Sequence, residues 1–252
     1  MSLISDQAIS LRRTDYSETS QILVLLTRAH GKQRLIAKGT KRSTKKRFAA
    51  AIDLLERGEV VFSRRPGSEA DLSILVEWNQ RELYAGLRTD LRRLYGAQYL
   101  AEVIPALVES DDPHPHLFDA LADTLSHMSQ GSEPLAPVVR CQVALLVEIG
   151  LMPDLTQCTA CEAAVTGRML YFSSESGGLL CRDCEPAAIE KRAVSPEAVA
   201  WIEALRRQEP SPVKDATVAG AFALLNYHIG YTIGRPPKLA DHIVPPANRR
   251  RL

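Results

Sequence analysis

Two cysteine pairs, Cys158-x-x-Cys161 and Cys181-x-x-Cys184, stand nineteen residues apart and restrict this chain more than any other feature. A C-x-x-C turn aims two sulfurs at one point, so two such turns supply the four soft ligands that a tetrahedral zinc ion takes. The gap falls within the spacing recognised for zinc sites, about 15 to 20 residues. Within it, "MLYFSSESGGLL" offers two strand-like pieces around a Gly-Gly turn, as in the hairpin of a zinc ribbon. Four thiolates close the coordination shell, which fits one structural Zn2+ ion and leaves no position for a reacting ligand. Two redox-active C-x-x-C pairs are the alternative. The fifth cysteine, Cys141, sits in the apolar helical pattern of "VVRCQVALLVEIG" and reads as a small buried hydrophobe. This usage points to metal in a reducing compartment and against a disulfide framework.

Hydrophobic periodicity changes once along the chain. Up to about residue 80, "AISLRR" (8–13), "QILVLLT" (21–27), "QRLIAK" (33–38), "GEVVFS" (58–63) and "LSILVEW" (72–78) are short and apolar or β-branched, with turn residues between them. Five strands so closely spaced predict a small antiparallel barrel, of OB-fold or SH3-like type. From residue 81 the period becomes helical, with Leu83, Leu87, Leu91, Leu94, Tyr95, Tyr99 and Val103 at three- and four-residue steps. Further helices are expected in "DDPHPHLFDALADTLSHMSQG", in "APVVRCQVALLVEIG", after Ser195-Pro196, and in "VAGAFALLNYHIGYTIG". The fold class expected is therefore α+β and multidomain. A barrel spans 1–80, a helical domain spans 81–156 and 187–252, and a zinc-ribbon insertion occupies 157–186.

The formal net charge of +1 conceals an uneven distribution: residues 1–80 carry +5, 81–156 carry −6, 157–186 carry −2 and 187–252 carry +4. Residues 28–47 are the extreme, with nine Lys or Arg and no acid. Such a run is either a solvated surface or a nucleic-acid contact. Alternation along 32–38 puts Lys32, Arg34, Ile36 and Lys38 on one side of a strand, so three cations project together. OB barrels bind nucleic acid across this part of the fold. Lys41, Arg42, Lys45, Lys46 and Arg47 follow at once, in a segment too charged to pack. Aromatic platforms for base stacking must come from elsewhere, with Tyr16, Phe48, Phe62 and Trp78 as candidates.

The chain contains no phosphate-binding P-loop, dinucleotide fingerprint, H-E-x-x-H or G-x-S-x-G motif, so nothing points to an enzyme. His114 and His116 in "DDPHPH" read as a solvated helix entry in preference to a second metal site, and the terminal "RRR" (249–251) as a solvated end. No apolar run has the length needed to cross a bilayer, and charge comes too early for a signal peptide, so a cytoplasmic protein without a membrane role is expected.

The segments "DYSETSQILVLLTRAHGKQRLIAKGTKR" (15–42), "YLAEV" (99–103), "EIGLMPDLTQCTAC" (148–161) and "GGLLCRDC" (177–184), in this order, resemble the RecO family of bacterial recombination mediators, in its zinc-binding branch. Its specific elements are the "AKGTKR" turn and the G-x-x-P-x-L-x-x-C-x-x-C approach, here Gly150, Pro153, Leu155, Cys158 and Cys161. The resemblance implies an N-terminal OB-fold, a helical domain and an embedded zinc module. It also implies binding of single- and double-stranded DNA and annealing of complementary strands. Its partners would be RecR and the acidic C-terminal tail of single-stranded-DNA-binding protein (SSB), with RecA loaded onto SSB-coated DNA near the nucleoid. Lys32, Lys38, Lys41 and Arg42 match the family's basic pattern, whereas Arg34, Lys45, Lys46 and Arg47 extend it by charge alone. The alternatives are a zinc-ribbon RNA- or ribosome-associated protein and an enzyme with catalytic zinc.

Overall fold

In the computed structural model, which describes residues 2–38, 52–63, 72–209 and 212–244, the five strand-like runs become β1 (Leu3–Asp15), β2 (Ser20–Thr27), β3 (Gly31–Lys38), β4 (Arg57–Ser63) and β5 (Ser73–Glu82). They close a barrel in the order β1-β2-β3-β5-β4, in which only the β3–β5 pair is parallel. This connectivity is that of the OB-fold and not of an SH3-like barrel. β1 serves two neighbours, pairing through Leu3–Ile9 with β4 and through Ala8–Asp15 with β2. A one-residue bulge between Ser10 and Arg12 bends the strand where it passes from one partner to the other. Inward-facing Ala8, Leu23, Leu25, Leu35, Val60 and Phe62 fill the interior with no exposed surface.

The stripe that predicts one helix from Leu83 onward is divided. β5 continues to Glu82, a short 3-10 turn covers Ala85–Thr89, and α1 (Leu91–Leu107) starts only after Asp90, whose side chain accepts from the Arg93 backbone N–H at 3.0 Å. Leu83 and Leu91 are consequently exposed. Extended backbone at Asp90 interrupts the period, and the matching three- and four-residue steps on its two sides cannot reveal that. Helix α2 (Pro115–Ser129) has Pro115 in its first turn and ends before Gly131.

Met1–Gly131 forms one compact unit, so α1 and α2 pack with the barrel. The β2–β3 turn makes the junction. Gly31 has φ 68°, and a Cβ there would lie 2.1 Å from the Asp112 carbonyl oxygen. The Asp111 N–H donates to the Lys32 carbonyl (3.2 Å), and Gln33 Nε2 donates to Asp111 Oδ1 (2.8 Å). Arg28 forks onto both Asp119 oxygens at 2.9 and 2.8 Å.

Ser132–Leu252 forms the second unit. It contains α3 (Leu135–Glu148), α4 (Pro196–Arg206), α5 (Asp215–Ile233) and the single turn α6 (Ala240–Ile243). Its sheet runs β6-β8-β7-β9, from β6 (Asp154–Cys158), β7 (Leu170–Ser173), β8 (Gly178–Leu180) and β9 (Arg192–Val194). Ser195 caps α4 by accepting from the Ala198 N–H at 3.2 Å. Cys141 in α3 is fully buried.

Gly31→Ala adds both a left-handed strain and a collision with the Asp112 backbone. We expect a loss of at least about 2 kcal/mol in unfolding free energy, measured by urea denaturation, since the left-handed penalty alone is about 1–2 kcal/mol.

Candidate metal centre and nucleic-acid interface

The approach to the cysteines is built from the end of α3. Gly150 takes φ 69°, and the Leu151 N–H reaches back to the Leu146 carbonyl at 2.9 Å, which terminates the helix and turns the chain into β6. Leu155 is buried in β6, and Cys158 ends the strand. Each C-x-x-C turn is then closed by the same backbone bond. The Glu162 N–H donates to the Cys158 carbonyl (2.8 Å) and the Glu185 N–H to the Cys181 carbonyl (2.9 Å). β7 and β8 pair antiparallel across the Ser174–Gly177 turn and bring the second cysteine turn to the first.

The Sγ atoms of Cys158, Cys161, Cys181 and Cys184 all lie within 4.8 Å of one another, with Cys161 and Cys181 3.6 Å apart. Sulfurs on one tetrahedral ion at a bond length of about 2.3 Å stand about 3.8 Å apart, whereas a disulfide needs about 2.05 Å. The four thiols are free, and their arrangement can hold one metal ion. Burial pushes the Cys158 thiol up, but backbone N–H groups of Cys181, Ala160 and Cys161 outweigh it and bring it down to about 6. Hydrogen bonding to the Cys181 and Cys161 sulfurs pushes Cys184 up to about 12. One thiolate is thus supported by the backbone while Cys161 and Cys184 resist charge. A cation at the centre reverses that resistance. Among the described residues this is the one group of three or more Cys, His, Asp or Glu with ligand geometry. His114 and His116 do not join another. His116 is exposed, and His114, expected to be solvated, is buried with Nε2 3.1 Å from Asp112 Oδ2.

Beyond Cys184, Glu190 ties the module to α5. Its carboxylate accepts from Ser173 Oγ (2.9 Å), the Glu175 N–H (2.9 Å) and the Tyr227 hydroxyl. Burial opposes its charge, but these donors outweigh that effect and hold its pKa below the ordinary glutamate value. Burial and this carboxylate push the Tyr227 phenol up to about 12, while the Arg192 guanidinium lies 5.5 Å over the Tyr227 ring. Nothing in the spacing of Glu190 and Tyr227 announces this pair.

On the barrel, β3 alternates as its spacing predicts: Gln33, Leu35 and Ala37 are buried, and Arg34 and Lys38 are exposed. Lys32 is half-buried and engaged by a helix. Its Nζ donates to the carbonyls of Pro105 (2.9 Å) and Val108 (2.5 Å), so it caps the C-terminus of α1. The last carbonyls of a helix lack intrahelical partners and carry partial negative charge, so an ammonium is favoured there. Lys41, Arg42, Lys45, Lys46 and Arg47 lie outside the described residues. Of the aromatic candidates, Phe62 is wholly buried and unavailable for stacking, Trp78 packs partly against the barrel core, Tyr16 is 65% exposed, and Phe48 lies outside the described residues. One cation escaped the sequence. Val24 stands opposite Arg34 on one side and Arg12 on the other, so Arg12 continues the row across three strands.

The first 80 residues match the family model described as "Recombination protein O N terminal", and residues 88–240 match "Recombination protein O C terminal". The chain belongs to the RecO family. It is 30% identical over 244 residues to the DNA repair protein RecO of Myxococcus xanthus (strain DK1622), covering 96% of this chain and 97% of that one. It is 32% identical over 207 residues to the RecO of Rhodopirellula baltica, covering 81% and 74%. With the RecO of Bacillus subtilis (strain 168) it shares 30% identity over 178 residues, covering 71% and 67%. RecO membership supports a role in DNA repair and recombination, and the four cysteines are consistent with a zinc-binding branch of the family. Among the described residues no helix is long and apolar enough to cross a membrane.

A thiol reagent applied to the metal-loaded protein should react slowly. A chelator should release four fast-reacting thiols and lower the thermal midpoint, while Cys141 reacts only on unfolding. Colorimetric thiol counting with and without chelator checks both. Glu190→Gln should cost about 1–2 kcal/mol, because it weakens bonds made to a charged acceptor. A carboxylate with a depressed folded-state pKa contributes stability that is complete above its unfolded value, about 4.3. That contribution disappears as pH falls through the folded value. The gap between parent and Gln variant, followed by urea unfolding, should therefore shrink below about pH 4.

Proposed function

We propose that this chain is a DNA-binding recombination mediator that works without covalent chemistry, and so is not an enzyme. It binds single- and double-stranded DNA and anneals complementary strands. With RecR it helps RecA load onto DNA coated by SSB, whose acidic tail it recognises, in the bacterial cytoplasm near the nucleoid. The observation that carries this reading is the outward row of cations on an OB barrel in a RecO-family chain: Arg34 and Lys38 have no ion-pair partner among the described residues. Lys41, Arg42, Lys45, Lys46 and Arg47 prolong the same run and share the role. Lys32 acts on stability. Cys158, Cys161, Cys181 and Cys184 hold one structural Zn2+, whose closed thiolate shell organises the module and offers no reacting position.

The mechanism is electrostatic. Complementary strands repel through their phosphates, and a cationic face on the protein screens that repulsion while bases find partners. Protein contacts are then exchanged for base pairs, and no nucleotide hydrolysis is required. Each neutralised phosphate releases condensed counterions, so log affinity should fall with log salt by about 0.7–0.9 per contact.

Joint reversal of Lys38, Lys41 and Arg42 to Glu should weaken DNA binding and flatten the salt slope by about 2–3, read by fluorescence anisotropy across a salt series. Lys32→Met should instead lower the thermal midpoint with the slope unchanged. An annealing assay on SSB-coated complementary strands, with and without RecR, tests the function directly. No acceleration in either case removes the reading, and preference for RNA over DNA of matched length moves it to an RNA-associated role.

A further inference from the structure

The bulge in β1 changes what that strand shows to solvent. Ala8 and Ser10 are buried and pair with Thr27 and Leu25 of β2. Strict alternation would then send Arg12 into the barrel. Leu11, itself buried, is the extra residue, and pairing resumes with Arg12 opposite Val24. A single inserted residue reverses the faces of the strand that follows. Arg12 therefore points outward, in the same cross-strand row as Val24 and Arg34. One step along, Thr14, Ile22 and Ile36 form the next outward row. At the following step the Tyr16 N–H donates to the Ser20 carbonyl at 3.0 Å, and Ser20 stands opposite Lys38.

This face of the barrel has an unusual composition. Ile22 and Val24 of β2 are only half-buried and form an apolar strip along its middle, widened on β3 by half-buried Ile36 between Arg34 and Lys38. Arg12 lies on one side of the strip, Arg34 and Lys38 lie on the other, and none of the three has an ion-pair partner among the described residues. Strands β1 and β3 are separated by two interstrand spacings, about 10 Å. A duplex turns its charged backbone outward and stacks its bases inward, so it cannot use an apolar strip between two cationic edges. A single strand can, because its bases unstack onto the strip while its phosphates meet the cations. Tyr16, exposed at the end of the strip, provides the aromatic platform that residues 17–47 lack.

We infer that Arg12 and Tyr16 of β1 complete a site selective for single-stranded nucleic acid, with Arg12 holding a phosphate and Tyr16 stacking a base. The inference rests on the DNA-binding reading above and adds to it the strand state that this face prefers.

The test uses the full-length protein and two probes, an oligothymidylate longer than the roughly 4–16 nucleotides an OB fold covers and a duplex of equal length. Anisotropy titrations are run over a salt series for four variants and a reference. Tyr16→Ala should weaken oligothymidylate binding by about 5-fold or more with the salt slope unchanged and duplex binding unaltered. Tyr16→Phe should bind as the parent does. Arg12→Gln should weaken single-strand binding and reduce its slope by about 0.7, and Arg12→Lys should restore the slope. Thermal midpoints of all four should match the parent. The reference is the Arg34→Gln, Lys38→Gln double variant. If it is impaired while Arg12→Gln and Tyr16→Ala bind as the parent does, the inference falls and the DNA-binding reading stands. If the reference also binds normally, the barrel face is not the DNA site and both fall. Equal losses on single strand and duplex for Tyr16→Ala, or failure of Arg12→Lys to restore the slope, would likewise overturn the proposal.

Discussion

The two-sidedness of a pleated strand governs the first unit. β3 sends Gln33, Leu35 and Ala37 inward, where Leu35 and Ala37 join the barrel core, and presents Lys32, Arg34, Ile36 and Lys38 outward. The same alternation that buries apolar surface lines up cations on the opposite face. The row is then divided by what covers it. Helix α1 ends over Lys32 and takes its ammonium, whereas Arg34 and Lys38 remain at the surface. Attachment to the helices and an exposed cationic surface thus arise from one strand, at successive outward positions.

A different constraint shapes the second unit. Its module offers short strands and few core residues, and four thiols crowd together at its centre. Without a cation the backbone favours charge on Cys158, while hydrogen bonding to neighbouring sulfurs disfavours it on Cys184. The fold supplies compensation from outside the ligand set. Glu190 gathers donors from Ser173, the Glu175 backbone and Tyr227, so the segment after the second cysteine turn is pinned to α5.

Local features were legible where a single residue type dictates local geometry. Ser195 and Pro196 mark the start of α4, Gly150 marks the end of α3, and the paired C-x-x-C turns mark the candidate metal centre. The five strands were visible because apolar β-branched runs between turn residues have few other uses. The start of the helix after residue 81 is not legible, since a 3-10 turn and an α-helix place apolar residues at nearly the same steps and only the extended backbone at Asp90 separates them. Phe62 reads as a stacking group in the sequence because period-two alternation does not say which face is inside, and it is wholly buried.

By itself the sequence determined the five barrel strands, the grouping of four cysteines and the cationic character of the barrel. All of these follow from local geometry: period two or 3.6, cysteine spacing, and the absence of acids between residues 28 and 47. Only the tertiary structure decided that α1 and α2 join the barrel unit, that Lys32 caps a helix, and that Arg12 stands in line with Arg34. These outcomes depend on which residues meet across 70 or more positions of chain, or on a one-residue bulge that reverses the faces of a strand. Such events leave no periodic trace, because they are settled by the packing of whole elements and not by the preferences of the residues within them.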